Sequence, residues 1–235
     1  MHQLTPERQF AALVAGDASH PFVTYYDEAT GERTELSAKS LANWVAKTYH
    51  LLTDELGLGV GDTALVALPA HWISVPVLLG CLSAGLALTP DDADDADVAF
   101  VAPATVTSTR GIAEVFAIAP DSAAVGWRGA EPEGTQDYVA AVRPQADAWA
   151  GVHLSAAPGD PCLPGLNRGE VTERAAGLAV GVRLLSTRDW TSPQDWIDTV
   201  LAPLAAGGSL VLVRSCSDES VLERRMTQEH ATVRN

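Results

Sequence analysis

The sequence predicts an α/β protein in which one or more largely parallel sheets are flanked by helices. Short apolar segments alternate along the chain with segments of helical periodicity, the pattern that strand–helix–strand units produce. The clearest unit spans 64–90, where an apolar strand, a helix and a further strand follow in order. The segments 64–68 and 209–213 are almost entirely apolar, which is typical of strands covered on both faces.

Composition and charge narrow the class of protein. Of the 235 residues, 47% are hydrophobic and 19% are charged, which favours a globular chain with a substantial core over a disordered one. The 30 acidic and 15 basic residues give a net charge of −15. Binding to nucleic acid or to an anionic membrane requires clustered Lys and Arg, so this charge argues against both and is best explained by solubility.

Cysteine usage and the N-terminal stretch predict a cytoplasmic protein. Cys81, Cys162 and Cys216 lie far apart, form no CxxC pair and are odd in number, which argues against a disulfide framework. The first residues lack the apolar stretch and the cleavage site of a secretory leader. The segment 64–90 contains no charged residue and is long enough to cross a bilayer. Its prolines and glycines favour the strand–helix–strand interpretation, so no membrane span is expected.

The N-terminal elements are predicted to begin with a β-hairpin. Its strands are expected at 22–26 and 33–36, with a turn at 29–31. Ser37 can then cap a helix that reaches about residue 55. One core-facing stripe recurs there at helical spacing, formed by Leu41, Trp44, Val45, Thr48 and Leu52. Glycines at 57, 59 and 61 end this helix.

The middle of the chain continues with a strand at 64–68, a helix at 72–84 and a strand or turn at 86–90. The run DDADDAD at 91–97 supplies carboxylates, but it has neither the turn glycine nor the closing glutamate of an EF-hand. We interpret it as a solvated acidic turn rather than a metal site. Short strands are predicted at 98–102 and 115–118, and 119–150 is predicted as a loop with a short helix near 136–142.

The last third of the chain opens with a predicted short strand at 151–154. The loop SAAPGDPCLPGLNRG at 155–169 follows, and its glycines are typical of phosphate-binding loops. Apolar residues then keep helical spacing over 171–182. A second helix is predicted from Ser192, because Ser192 and Asp195 form a capping-box pattern and Pro193 suits the first turn. The strand 209–213 and an amphipathic helix at 217–228 complete the order.

Several of these stretches resemble, in order and spacing, the adenylate-forming superfamily of acyl-CoA synthetases, luciferases and peptide-synthetase adenylation domains. LSAKSLANWVA at 36–46 resembles the family's Leu-Thr-Tyr-x-Glu-Leu helix. The segment 59–90 resembles its Gly-Asp-x-Val strand, its Pro-Asn pair and its Leu-Lys-Ala-Gly-Ala motif. RGEVTERAAGLA at 168–179 and the segment 196–213 resemble the helices and strand that follow the family's phosphate loop. The resemblance covers 20–230 and corresponds to the front part of the family's large domain.

This resemblance implies a single AMP-binding-like domain over 1–235 that lacks the family's C-terminal half and its lysine-bearing small domain. It also implies ATP or AMP with Mg²⁺ as the cofactor, held at the family's loop Thr-Ser-Gly-Thr-Thr-Gly-x-Pro-Lys-Gly. The residues of this chain that the resemblance places in phosphate contact are Ser155, Gly159, Gly165, Arg168 and Gly169.

The loop departs from the family's pattern. Pro158, Pro161 and Pro164 have no N–H to donate, and Asp160 places a negative charge where phosphate would lie. Both threonines are absent, and Arg168 stands for the lysine. The family's adenine-binding segment, its Tyr-Gly-x-Thr-Glu motif and its ribose-binding aspartate come after the part that this chain covers. We therefore expect a phosphate cradle that has lost most of its donors, and no adenylation by this chain alone.

Three functions stay open. The first is a truncated, degenerate pseudoenzyme that acts as a binding or interaction module. The second is a nucleotide- or acyl-binding subunit completed by a homodimer or a partner protein, because a truncated domain leaves sheet edges and apolar surface to cover. The third is a hydrolase that reuses His153, Ser155, Cys162 and Arg168, with Asp160 as a third member of a triad.

No metal site is predicted. The six histidines form no HExxH motif and no other close pairing. His71 follows a predicted strand, near the end of the sheet where α/β proteins bind ligands. We interpret it as a core or helix-capping histidine.

Overall fold

A computed structural model of the chain describes residues 4–90, 95–109, 111–119, 125–127 and 130–235. Within these residues the strands are β1 (Pro21–Asp27), β2 (Glu32–Ser37), β3 (Thr63–Ala67), β4 (Ala87–Thr89), β5 (Val98–Val101), β6 (Glu114–Ala117), β7 (Gln136–Asp137), β8 (Pro161–Leu163), β9 (Leu166–Asn167), β10 (Arg183–Ser186), β11 (Ser209–Arg214) and β12 (Val233–Arg234). The α-helices of the same residues are α1 (Pro6–Ala15), α2 (Ala38–His50), α3 (Ser74–Ala84), α4 (Tyr138–Val142), α5 (Arg168–Ala175), α6 (Pro193–Trp196), α7 (Ala202–Ala205) and α8 (Glu219–Gln228).

The strands of the described residues form two five-stranded sheets and one small hairpin, β8–β9. The first sheet has the order β12-β10-β11-β1-β2, and only β2 runs antiparallel to its neighbour. The second sheet has the order β4-β3-β5-β6-β7 and is parallel throughout. The predicted α/β class with largely parallel sheets is therefore confirmed.

A layer of helices fills the space between the two sheets. The inner faces of both sheets and the helices α1, α2, α3 and α5 contribute to one continuous hydrophobic cluster. Smaller clusters cover the outer faces, with α8 packing on the first sheet through Leu222. Strands β3 and β11 are consequently covered on both faces, which explains their nearly unbroken apolar sequences.

Local sequence signals account for several helix boundaries. The Ser37 hydroxyl accepts the backbone N–H of Ser40 at 3.1 Å and starts α2, as predicted. A π-helical turn, Leu51–Glu55, extends α2 to the predicted end. The predicted capping box of Ser192 and Asp195 starts α6, which continues through a π-helical turn, Ile197–Leu201, into α7.

The sequence-based assignment of 151–182 needs correction. Trp149–Gly151 is a single 3₁₀ turn and 152–157 has no regular structure, so the predicted strand at 151–154 is absent. Helix α5 ends at Ala175 instead of continuing to 182. Gly177 and Gly181 have positive φ, which ends the helix and lets the chain enter β10. The predictions also missed α1.

Most of the remaining elements agree with expectation. The hairpin β1–β2, strands β3 to β6 and helices α3 and α8 lie within a few residues of their predicted positions. Of the acidic run 91–97, residues 91–94 lie outside the described part of the chain; within it, Asp97 accepts the backbone N–H of Thr63. No helix in the described residues is long and apolar enough to cross a membrane.

Candidate functional site

The predicted phosphate loop folds into the hairpin β8–β9 and leads directly into α5. Gly165 forms the tip of the hairpin with a φ of +71°, a conformation that favours glycine. Asn167 then caps α5 by accepting the N–H of Glu170, while the Glu170 carboxylate accepts the N–H of Asn167. The loop is therefore a closed and locally hydrogen-bonded unit.

The structure brings three of the five predicted phosphate-contacting residues together. The backbone N–H of Arg168 donates to the carbonyl of Asp160, and that of Gly169 donates to the carbonyl of Pro158. These bonds place Arg168 and Gly169 beside the turn that contains Gly159. Gly159 is exposed, whereas Arg168 and Gly169 are buried.

The other two predicted residues, Ser155 and Gly165, lie apart from this group. Gly165 is exposed at the hairpin tip, with Leu163 and Leu166 paired below it. Ser155 is exposed in the irregular segment that precedes the hairpin. Phosphate binding by the five residues stays a prediction.

The Arg168 side chain points into the protein core. Its Nη1 donates to Glu7 Oε2 at 2.8 Å and to the Leu82 carbonyl at 3.1 Å, and Nη2 donates to the Leu86 carbonyl at 2.9 Å. Both side chains of the Arg168–Glu7 pair are 0% exposed. Leu82 belongs to the last turn of α3 and Leu86 follows its end, so the guanidinium caps this helix where its dipole is negative.

The residues proposed for a hydrolase do not form a catalytic arrangement. Cys162 is fully buried, and this burial raises the pKa of its thiol to about 12, so the reactive thiolate is not available near neutral pH. Arg168 is buried with it, whereas His153 and Ser155 are exposed. The backbone of His153 is bound to the Tyr49 hydroxyl, with its N–H and its carbonyl both 3.2 Å from that oxygen.

A second candidate site lies where the strands of both sheets end. A cavity of about 420 Å³ opens beside residues that follow β3, β4, β5 and β10. Its lining is mainly apolar and includes Leu68, Pro69, Pro90, Ala102, Trp190 and Thr191. We call it the carboxyl-end cavity. Ligands of parallel α/β proteins bind at this end of the strands.

The one acidic residue among the described lining residues of the carboxyl-end cavity is paired with an arginine. Asp189, which lines the carboxyl-end cavity, forms an ion pair with Arg214 at the end of β11. This cavity was not predicted from the sequence, because its position depends on β10, which was not predicted either. The general rule for the carboxyl edge of parallel sheets would have pointed to it once that strand was known.

His71 lies nearby but is withdrawn from solvent. It follows β3, is 2% exposed, and packs edge-on against Tyr25 with the ring centroids 4.3 Å apart. Its Nδ1 accepts the N–H of Ile73 at 3.2 Å, in the turn before α3, and no side chain caps that helix. Of the two predicted alternatives, the burial of His71 agrees with a core histidine. Burial lowers the pKa of His71 to about 4; the Asp27 carboxylate opposes this shift and Arg214 adds a smaller lowering.

A larger cavity, of about 720 Å³, lies at the opposite, amino ends of β1, β10 and β11. Two of its charged lining residues, Arg183 and Glu229, are paired with each other, and the Arg183 guanidinium also donates to Ser209 Oγ and to Thr24 Oγ1. Among the described residues, no group of three or more His, Cys, Asp or Glu side chains can hold a metal ion.

Comparisons with known proteins give one related sequence and several solved structures with a similar fold. No protein-family model matches the sequence. A protein of Mycobacterium tuberculosis (strain ATCC 25618 / H37Rv), described as a TIGR03089 family protein, is 39% identical over 233 residues. The match covers 94% of this chain and 93% of that protein.

Solved structures of acyl-CoA synthetases and ligases share the fold at much lower identity. The acetoacetyl-CoA synthetase from Streptomyces lividans matches with a TM-score of 0.77 at 18% identity, over 98% of this chain and 42% of that one. The acyl-CoA synthetase of Brucella canis matches with a TM-score of 0.74 at 16% identity, over 98% and 46%.

The anthranilate CoA ligase AuaEII, solved in complex with anthranoyl-AMP, matches with a TM-score of 0.74 at 13% identity, over 98% of this chain and 49% of its own. The chain thus spans less than half the length of each of these three solved structures and nearly all of the mycobacterial relative. At these identities the structures establish an acyl-CoA synthetase-like fold.

Proposed function

This chain belongs to the TIGR03089 family, and we propose that it is a binding or interaction module with an acyl-CoA synthetase-like fold that does not itself form acyl adenylates. One observation carries the proposal. Arg168, the only basic residue in 155–169, is fully buried and paired with Glu7. A loop that holds ATP phosphates needs an accessible cation or a set of free backbone donors. The loop therefore offers no accessible cation to the triphosphate of ATP.

The accessible surface area of the chain is that expected of a folded monomer of its mass. The accessible area is 10153 Å², and a folded monomer of 24.7 kDa is expected to expose about 10,100 Å². Among the described residues, the exposed large hydrophobic side chains are scattered singly: Leu4, Val60, Val125 and Val180. This pattern favours a module that binds through a local site over one that buries a large apolar face.

The proposal is tested by measuring adenylation directly. Purified protein is incubated with Mg-ATP and a panel of short, long and aromatic carboxylic acids, and pyrophosphate release is followed. A known acyl-CoA synthetase in the same assay serves as the positive control. We expect no release above the background of heat-denatured protein. ATP-dependent pyrophosphate release that follows the protein concentration and requires one of the acids would contradict the proposal.

A second candidate function is supported by the carboxyl-end cavity. Its volume of about 420 Å³ and its mainly apolar lining suit an acyl or aryl group, and its position is the usual one for α/β ligands. Under this second candidate function, the chain is an acyl- or nucleotide-binding subunit whose site is completed by a second copy or by a partner protein. Isothermal titration tests this candidate: octanoate and AMP are each titrated into the wild type and into the Ala102→Trp variant. Binding that Ala102→Trp abolishes supports this candidate, whereas the absence of heat from both ligands removes it.

A further inference from the structure

Six backbone N–H groups of the loop 155–169 and of the start of α5 already have acceptors within the protein. Two of them are held by carboxylates. The N–H of Ala157 donates to Asp160 Oδ2 at 2.7 Å, and the N–H of Asn167 donates to Glu170 Oε2 at 2.8 Å. In both bonds a backbone N–H donates to a carboxylate, as it would donate to an oxygen of an anionic ligand.

Four more donors are held by neutral oxygens of the same segment. The amides of Asp160, Arg168 and Gly169 donate to carbonyls within 157–160, and that of Glu170 donates to Asn167 Oδ1 at 2.9 Å. In total, six backbone N–H groups between 157 and 170 have acceptors inside the segment. Three of the six, the N–H groups of Arg168, Gly169 and Glu170, belong to the first turn of α5, where helices normally have free donors.

We propose that the Asp160 and Glu170 carboxylates occupy the anion-binding position of this loop and thereby close it against phosphate. A phosphate group entering here would have to displace two carboxylates from charge-assisted hydrogen bonds and would meet their negative charge. The chain therefore keeps the loop and the helix of an anion-binding arrangement and fills the arrangement with its own carboxylates. This inference goes beyond the proposed function, which rests on the burial of Arg168 rather than on the amide donors.

Nuclear magnetic resonance of the ¹⁵N-labelled chain tests the inference without any substitution. Mg-ATP and inorganic pyrophosphate are titrated separately to 10-fold above the protein concentration and then to millimolar levels, and the amide resonances of 157, 160 and 167–170 are followed. The amide of Ser220 serves as the reference, because it donates to the Asp218 side chain at the start of α8. We expect the six resonances to shift no more than that of Ser220. Saturable shifts of the six amides with either compound would overturn the inference.

Two pairs of variants test the role of the carboxylates themselves. Asp160→Ala removes the acceptor of the Ala157 amide, and we expect hydrogen exchange of that amide to become about tenfold faster. Asp160→Asn keeps a side-chain oxygen and should largely preserve protection, which separates a lost hydrogen bond from a collapsed hairpin. Glu170→Ala and Glu170→Gln form the same pair for the Asn167 amide. Unchanged exchange in both alanine variants would refute the role of the two carboxylates.

The outcome is separable from that of the proposed function. Amide shifts with Mg-ATP but no pyrophosphate release would overturn this inference and leave the proposed function standing. Pyrophosphate release without any shift of the six amides would overturn the proposed function and leave this inference standing, because ATP would then bind elsewhere.

Discussion

Arg168 and Glu7 form a fully buried ion pair, with Nη1 of the arginine 2.8 Å from Oε2 of the glutamate, across 161 positions of sequence. Thr5 supports the pair by donating its hydroxyl to the other glutamate oxygen at 2.6 Å. The guanidinium also binds carbonyls at the end of α3. This contact joins the first helix of the chain, the end of α3 and the start of α5.

Glu7→Ala should lower the free energy of unfolding by about 3–5 kcal/mol, because it leaves the Arg168 charge buried without a counter-ion. Urea or guanidinium denaturation monitored by tryptophan fluorescence measures the change. Glu223→Ala, which removes an exposed carboxylate on α8, is the matched control and should stay within about 0.5 kcal/mol of the wild type. A loss below about 1 kcal/mol for Glu7→Ala would mean that the pair does not hold the helices together.

Gly80→Ala should destabilise the packing of α2 against α3. A Cβ at position 80 would lie 2.5 Å from Cβ of Thr48, and both helices are held on their other sides by the sheets. We expect a loss of about 1–3 kcal/mol in the free energy of unfolding, as is usual for overpacked cores. Gly159→Ala serves as the comparison, because a Cβ there meets nothing within 4 Å. Equal stability of the two variants would argue against a close contact of α2 and α3.

His71 should make stability fall in mild acid. Its pKa is lowered from 6.5 to about 4 in the folded state, so the unfolded chain binds the proton more readily. The corresponding stabilisation is complete above pH 6.5 and is lost as the pH falls through 4; its full size is about 3 kcal/mol.

Two measurements check this pH dependence. His71→Asn keeps an acceptor for the Ile73 N–H but does not titrate, so its free energy of unfolding should depend less on pH between 6.5 and 4 than that of the wild type. Proton resonances of the His71 ring should stay those of neutral imidazole at pH 5. A titration midpoint of the ring near 6.5 would show that the side chain is solvated instead.

Thiol labelling should distinguish the three cysteines. Cys81 and Cys162 are buried, and burial raises the pKa of both thiols, whereas Cys216 is partly exposed. With an aromatic disulfide reagent at pH 8, we expect one thiol per chain to react quickly in the folded protein and all three in denaturant. Cys162→Ala should leave the fast phase unchanged and Cys216→Ala should remove it. Fast labelling of Cys162 would reopen its role as a nucleophile.

The sequence predicted best those elements whose signals are local. Ser37 and Ser192 mark helix starts because a cap is set by residues within one turn of it. Strands β3 and β11 are recognisable because burial on both faces leaves few polar positions. Strand β10 was not predicted, because Val182 continues the helical spacing of the preceding residues. Only the glycines at 177 and 181 indicate that the helix ends before the strand.

The candidate site was harder to predict because its decisive contacts are not local. Arg168 occupies a loop position that suits phosphate binding, and nothing near it in the sequence indicates that its partner is Glu7. Its burial depends on how α1, α3 and α5 pack together. The contact of Glu170 has a sequence signal, the Asn-x-x-Glu capping pattern at 167–170, whereas the contact of Asp160 with the Ala157 amide belongs to no such pattern.

The pairing of β1 with β11 has a consequence for how the chain folds during synthesis. Val23 lies opposite Leu210, so β1 and β11 can pair only after residue 210 has been synthesised. The second sheet draws its strands from 63–137 and can assemble well before that. Until β11 arrives, the hairpin β1–β2 has an open edge and an uncovered apolar face, which is the period of greatest exposure to aggregation. A nascent chain stalled before residue 209 should therefore depend on chaperones, although its second sheet is already formed.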